Sequence, residues 1–338
     1  MRSIYWLTGW IPVKVREFAK IEDEIIFRAE RISGMERELA EKYNALKEKI
    51  DSYVSGGIAV AFSGGVDSAL VLKLACMAAG EKSTVYAVTV ETKLHPAGDL
   101  ETAGMAATEF GAVHKVLQID ELAETGIETN PVNRCYLCKK GIFEKVKELA
   151  EELGAGCILE GTNADDLGQY RPGIRALKEL QIISPLAACG LTKEEVRKLA
   201  EHLGIPAANR PSAPCLATRL PYGTKISYEL LAKIDEGERY LRALGFYNVR
   251  LRVHELIESV GRESKSVEEG SVYRRGKQEK DKAWLARIEV DREDLPKLIE
   301  YGEEVTEKIK GLGFCRVTAD LEGFRSGSMD ENMRELER

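Results

Sequence analysis

Residues Ala59 to Ser68 read Ala-Val-Ala-Phe-Ser-Gly-Gly-Val-Asp-Ser, a short apolar strand that turns through two glycines into the apolar helical pattern of Ala69 to Ala79. Strand, glycine turn and helix in that order commit this part of the chain to an α/β unit. Gly64 and Gly65 let the backbone come close to an anion, and the helix start behind them offers free N–H groups and about half a positive charge. Ser63 and Ser68 add hydroxyl donors. Asp67 does not suit a phosphate directly, so its expected task is to hold Mg2+ or to fix the loop. The order differs from the Walker loop, which ends in Lys-Ser/Thr, and no lysine lies here. A plain glycine turn explains the joint, but not six consecutive residues that together suit an anion site.

The pattern around this loop extends the α/β reading. Apolar, β-rich runs at Ile58–Phe62, Thr84–Val90, Val113–Gln118, Gly156–Leu159 and Gln181–Ser184 alternate with helical stretches. Alternation of this kind predicts a parallel sheet with helices on both faces, and places ligands at the C-terminal strand ends. Thr192, with Glu195 three residues on, caps a helix to Leu203. Residues 1–34 read as an N-terminal extension, 35–206 as the nucleotide domain, and the proline-rich 207–226 as a junction carrying Cys215. Residues 227–330 read as a small α+β domain, with helix Ser227–Leu244, strands Asn248–His254, Ala283–Val290 and Phe314–Asp320, and helix Arg292–Gly311. Residues 331–338 form a tail. The passages from Ala243 and from Gly311 each end a helix in glycine and return as a strand, so the small domain holds two similar units. Glu258 to Lys282 is almost wholly polar, as in an exposed hairpin or long loop.

A chain of 338 residues with 44% hydrophobic and 31% charged residues can bury a large core, and no apolar run reaches bilayer length. Ile4 to Val13 contains Thr, Gly and Pro and has no signal-peptide layout, so a cytoplasmic location is expected. A net charge of −7 gives no global attraction to nucleic acid or anionic lipid. The expected partner is a small molecule, with neither nucleic acid nor membrane.

Seven cysteines in such a chain are not a disulfide framework. Cys76, Cys157, Cys189 and Cys315 read as small buried hydrophobes. Cys135 and Cys138 form a Cys-x-x-Cys beside Arg134, Lys139 and Lys140, cations expected to draw the thiols toward thiolate. That motif fits a redox dithiol, half a zinc site or neither, and His95, His114, His202 and His254 do not supply the missing pair of ligands. Cys215 lies between Pro211, Pro214 and Pro221, a segment of few conformations. Three thiols without a fourth invite an iron–sulfur cluster with one iron open.

Glu160 to Gly173, including Asp165 and Arg171, follows an apolar strand and can fix a ribose, metal or phosphate. An Asx-capped helix start accounts for half of it. Arg250 and Arg252 share a strand face, as a phosphate clamp or as a solvated face, and Glu238 lies on the preceding helix.

Together, Ser63 to Ser68, Asn130 to Lys140, Gly161 to Gly173, Pro211 to Gly223 and Leu321 to Met329 resemble the LarE family. The likeness runs from about Met35 to Met329. It implies a PP-loop ATP pyrophosphatase domain, of the adenine nucleotide alpha hydrolase kind, followed by a smaller α+β domain. It also implies ATP and Mg2+ as cofactors, with Ser63, Gly64, Gly65, Asp67, Ser68, Asp165, Arg171, Arg219, Arg250 and Arg252 binding nucleotide or substrate. Asp67 would hold Mg2+, and Glu238, Arg250 and Arg252 fall where the family contacts the substrate phosphate or a bound divalent metal. The implied reaction adenylates a carboxylate of pyridinium-3,5-dicarboxylate mononucleotide and replaces oxygen by sulfur, in making the nickel-pincer nucleotide of lactate racemase. Members with one cysteine, matching Cys215, sacrifice it. Members with all three, like this chain, are implied to carry a [4Fe-4S] cluster on Cys135, Cys138 and Cys215 that passes on sulfide from an unnamed source. A homo-oligomer, up to a hexamer, is also implied. The alternatives are a tRNA thiolation enzyme, an ammonia-using amide ligase and a non-enzymatic cluster carrier.

Overall fold

A computed structural model of the chain describes residues 37–95, 99–168, 172–206, 215–256, 283–325 and 329. The N-terminal extension, Arg171, the polar segment 258–282 and the tail lie outside the described residues.

The first half alternates strand and helix as expected: α1 (Arg37–Asp51), β1 (Ile58–Ala61), α2 (Val66–Ala79), β2 (Val85–Glu91), α3 (Asp99–Phe110), β3 (Val113–Gln118), α4 (Glu121–Glu124), α5 (Arg134–Glu152), β4 (Cys157–Leu159), α6 (Ala164–Leu167), α7 (Gly173–Glu179), α8 (Pro185–Ala188) and α9 (Lys193–His202). The four strands pair in parallel in the order β3-β2-β1-β4. Successive side chains on β1 face opposite layers. Ile58 and Val60 pack with α1, α2 and α9 through Leu46, Leu70, Leu74 and Leu199, whereas Ala59 packs with Phe143 and Val146 of α5.

The chain winds from β1 through β2 to β3, then returns to place β4 on the other side of β1. That reversal opens a crevice at the C-terminal ends of β1 and β4, where ligands of doubly wound sheets sit. The expected fifth run, Gln181–Ser184, contributes only an isolated parallel bridge from Ile183 to Leu159. Gln181 has φ 59°, and Pro185 already begins α8, so too little extended backbone remains for a strand.

The second half holds α10 (Tyr228–Ala243), β5 (Arg250–Leu256), β6 (Ala283–Glu289), α11 (Leu295–Glu300), α12 (Gly302–Gly311) and β7 (Arg316–Ala319). β6 pairs antiparallel with β5 and parallel with β7. The helix expected from Arg292 to Gly311 is a 3-10 turn followed by two helices, because the backbone leaves helical geometry at Tyr301 (φ −83°, ψ 10°). The two similar units are visible as α10–β5 and α12–β7, and each passage buries its phenylalanine, Phe246 and Phe314, in the same core. That core also takes Leu94 and Ile127 from the first half, and Leu137 and Cys138 lie against it. The two halves therefore share hydrophobic surface where the cysteines lie.

Candidate functional site

The loop after β1 is held by its own serines. Ser68 Oγ accepts from Ser63 N (3.3 Å), donates to Gly65 O (3.1 Å) and lies 3.2 Å from Ser63 Oγ. Gly64 has φ 74°, a left-handed conformation that suits glycine. Gly161, at the end of β4, passes so close that a Cβ there would lie 2.7 Å from Ser68 N. A cavity of about 360 Å³ opens beside the loop, with Ser63, Asp67, Ser68, Thr92, Lys139 and Gly161 among its walls.

Asp67 does not sit in a carboxylate cluster. Its Oδ1 accepts from Asn163 Nδ2 (3.1 Å), and its Oδ2 is ion-paired with Lys193 Nζ. The loop without a lysine thus acquires one from the first position of α9, a residue that sequence reasoning missed because 126 positions separate the pair. The expected Asx cap is present: Asn163 caps α6 in a reciprocal arrangement with Asp166, while its amide also reaches Asp67. Asp165 accepts from the Lys193 backbone N–H (2.8 Å), so it fixes the start of α9 and thereby the lysine. Buried Glu160, at the floor of the cavity, accepts from Thr162 N (3.0 Å), Thr162 Oγ1 (2.8 Å) and Ser184 Oγ.

The cysteines come together through a polar clamp. Asn130 is fully buried with φ 50°; its Nδ2 donates to Pro221 O (2.7 Å) and Leu220 O (3.3 Å), and its Oδ1 accepts from Arg134. Arg134 also donates to Ala217 O (3.2 Å) and approaches Cys135 Sγ (3.9 Å). These bonds staple the start of α5, with Cys135 and Cys138, to the 215–223 segment. Two of the thiols act electrostatically on the third: Cys138 is pushed up to about 12, first by burial, then by Cys215, Glu121 and Cys135, with Arg134 opposing. Burial also raises Cys215, and Arg134 again opposes.

For Cys138, the expectation that flanking cations draw the thiol toward thiolate is corrected here. Lys139 points to Glu160 (4.0 Å) and Lys140 to Glu179 (3.9 Å), leaving Arg134 as the first cation in each balance. Cys76, Cys157 and Cys189 pack against the first core as expected, but Cys315 is exposed. Among the described residues no group of three or more His, Cys, Asp or Glu is arranged to hold a single metal ion.

Below Cys215 lies a buried arginine platform. Arg219 gives Nε and Nη2 to Glu238 (2.7 and 2.9 Å), and Nη1 to Cys215 O (3.2 Å) and Thr218 Oγ1 (2.9 Å). Glu238 also accepts from Arg242 (2.7 Å) and Leu251 N (3.0 Å). A carboxylate has about four acceptor positions, and here four protein donors fill them, so in this arrangement Glu238 serves as counter-ion to Arg219 and Arg242. Arg219 likewise braces the Cys215 segment instead of facing a ligand.

Arg252 bonds Glu289 (3.0 Å) and Thr218 O (2.9 Å). Arg250, on the same strand face, bonds the Val249 carbonyl (2.7 Å) and stacks on Phe324 (5.0 Å), with no carboxylate bond among the described residues. Burial, then the field of Arg219, lowers Arg250 to about 10. Five guanidiniums, Arg219, Arg242, Arg250, Arg252 and Arg287, meet three buried carboxylates, Glu238, Glu289 and Asp320. The excess positive charge suits an anion.

Residues 38–136 match the model of the NAD synthase family. The chain is 36% identical over 273 residues to an uncharacterised protein of Synechocystis, covering 80% of this chain and 91% of that one. It is 32% identical over 276 residues to pyridinium-3,5-bisthiocarboxylic acid mononucleotide synthase of Lactiplantibacillus plantarum, covering 82% and 90%. The chain belongs to the LarE-like PP-loop ATP pyrophosphatase family. An uncharacterised Methanocaldococcus jannaschii protein is also similar, with 32% identity over 290 residues, 86% of this chain and 98% of that one. ATP binding is typical of the LarE-like family, and the crevice at β1 and β4 is where the fold provides for it. No helix among the described residues is long and apolar enough to cross a membrane.

Proposed function

We propose that the chain is an ATP-dependent sulfur transferase that acts on a carboxylate of pyridinium-3,5-dicarboxylate mononucleotide or a close relative, using a [4Fe-4S] cluster on Cys135, Cys138 and Cys215. The observation that carries this reading is that one helix, α5, joins the two chemistries. It presents Cys135 and Cys138 at its start and Lys139, Ile142 and Phe143 to the cavity beside the PP-loop. Cys138 and Phe143 are about 7–8 Å apart along the helix axis.

In the first step a carboxylate oxygen of the acceptor attacks the α-phosphorus of ATP, the bond to the β-phosphate breaks, and pyrophosphate leaves. Ser63, Ser68 and the α2 N-terminus bind that pyrophosphate, and Lys193 adds positive charge. In the second step sulfur attacks the acyl carbon and AMP leaves with the original carboxylate oxygen. Arg250 is the residue suited to the acceptor's phosphate.

What supports the cluster is the donor set: Cys135 and Cys215 both act electrostatically on Cys138, and Arg134 is a buried cation beside Cys135. Cys135, Cys138 and Cys215 would hold the cluster through their thiolates. When bound, it would supply sulfide at an iron that no protein thiol occupies. Asp67, with Asn163 and Lys193 on two of its roughly four acceptor positions, would hold Mg2+ through the others.

The test is anaerobic reconstitution followed by incubation with ATP, Mg2+, sulfide and the mononucleotide. Replacement of one oxygen by sulfur in the acceptor, read by mass spectrometry and lost in Cys215→Ala, supports the reading. Full activity of Cys215→Ala with ammonia as the nucleophile would establish an amide ligase instead.

A further inference from the structure

Among the described residues, no carboxylate pairs with the Arg134 cation. Its side chain is buried, with the residue only 4% exposed, yet no carboxylate is among its hydrogen-bond acceptors, which are the Asn130 amide oxygen, the Ala217 carbonyl and the Cys135 sulfur. The Tyr222 ring lies 5.6 Å from the guanidinium. No hydrogen bond or ion pair joins it to Glu121, the buried carboxyl whose charge acts on Cys138. A buried charge without a counter-ion costs several kcal/mol, so such a group points to a negative species that completes it. Arg219, the other cation acting on Cys215, is already matched by Glu238. Arg134 and Cys135 are also the first residues of the 19-residue α5, whose N-terminal dipole adds to the same positive field.

We propose that Arg134 is the counter-cation for an anionic sulfur species held among Cys135, Cys138 and Cys215. Its charge sets how strongly that site holds negative charge, and its hydrogen bonds to Asn130 and Ala217 keep the charge facing the thiols. The nature of the anion rests on the sulfur-transfer reading above. The positive field belongs to the protein alone.

The field is read on metal-free wild-type protein by alkylating exposed Cys135 with iodoacetate and with iodoacetamide, using exposed Cys315 as the internal reference. The two reagents attack the same thiolate, so their rate ratio cancels the thiolate fraction and reports local potential. The ratio is expected to favour the anionic reagent about tenfold more at Cys135 than at Cys315. That preference falls in Arg134→Gln, which keeps amide donors, and survives in Arg134→Lys. Equal ratios at the two cysteines, or a ratio unmoved in folded Arg134→Gln, overturn the proposal and leave Arg134 a brace only. Should Arg134→Gln fail to fold, the wild-type comparison decides.

In the cluster-loaded protein, Arg134→Gln disfavours reduction at least about tenfold, a shift of about 59 mV for one electron. An unshifted potential counts against the proposal. Wild-type protein that takes up no iron would overturn the cluster reading, with the alkylation ratio still deciding the role of Arg134.

Discussion

Arg219 and Glu238 form a two-point ion pair sealed from solvent, Nε to Oε1 at 2.7 Å and Nη2 to Oε2 at 2.9 Å, with side chains 1% and 0% exposed. Arg219 also bonds the Cys215 carbonyl, so the pair ties α10 to the segment that carries the third thiol. Breaking such a pair from one side leaves an uncompensated buried charge.

Glu238→Gln is accordingly expected to lose about 3–5 kcal/mol of stability, measured by urea denaturation. Burial alone would raise the Glu238 carboxyl, but the hydrogen bonds and charge of Arg219 and the Leu251 N–H hold it below its usual range. A depressed folded-state pKa means stability present above about 4.3, the unfolded value, and lost as pH falls through the folded one. Wild type should show that acid loss and Glu238→Gln should lack this part of it; matching acid profiles would contradict the assignment.

Lys193→Met removes the cation paired with Asp67 and should weaken nucleotide binding about tenfold to a hundredfold, the worth of one charge-assisted hydrogen bond. Calorimetric titration with ATP checks this. Unchanged affinity would show that the lysine serves only to brace Asp67.

Arg250 and Arg252 separate binding from bracing. Arg250→Gln should leave stability within about 1 kcal/mol while weakening the phosphate-bearing acceptor about tenfold or more. Arg252→Gln, which removes one of the cations paired with buried Glu289, should instead lower the melting temperature. Paired thermal melts and acceptor titrations distinguish the two, and equal melting losses would count against this division.

Metal-free protein should become less stable in mild alkali. Cys138 is pushed up to about 12, chiefly by burial, whereas an unfolded cysteine titrates near 8.5. Stability is therefore fullest below about 8.5 and declines as pH rises toward the folded value, by up to about 1.4 kcal/mol per pH unit. Cys138→Ser should flatten that slope in denaturation series between about pH 8 and pH 10.

Much of this protein was legible in its residue order. Local rules act over a few positions, so the strand–loop–helix at Ala59 to Ala79, the parallel α/β half, the Asn163 and Thr192 caps and the paired α+β units could all be read directly. Gln181–Ser184 failed as a strand because the left-handed Gln181 and the helix at Pro185 overrode its apolar character. The pairings at the site were decided by contacts across long stretches of chain. Lys193 reaches Asp67 across 126 positions, and Asn130 reaches Pro221 across 91. Sequence by itself named the phosphate loop and the three cysteines. Only the tertiary structure decided that Lys139 and Lys140 turn elsewhere, that Glu238 is consumed by arginines, and that Arg134 is left facing the sulfur. The physical reason is that an ionised group takes its partner from space, where folding sets the distances, and not from the neighbouring positions that a sequence displays.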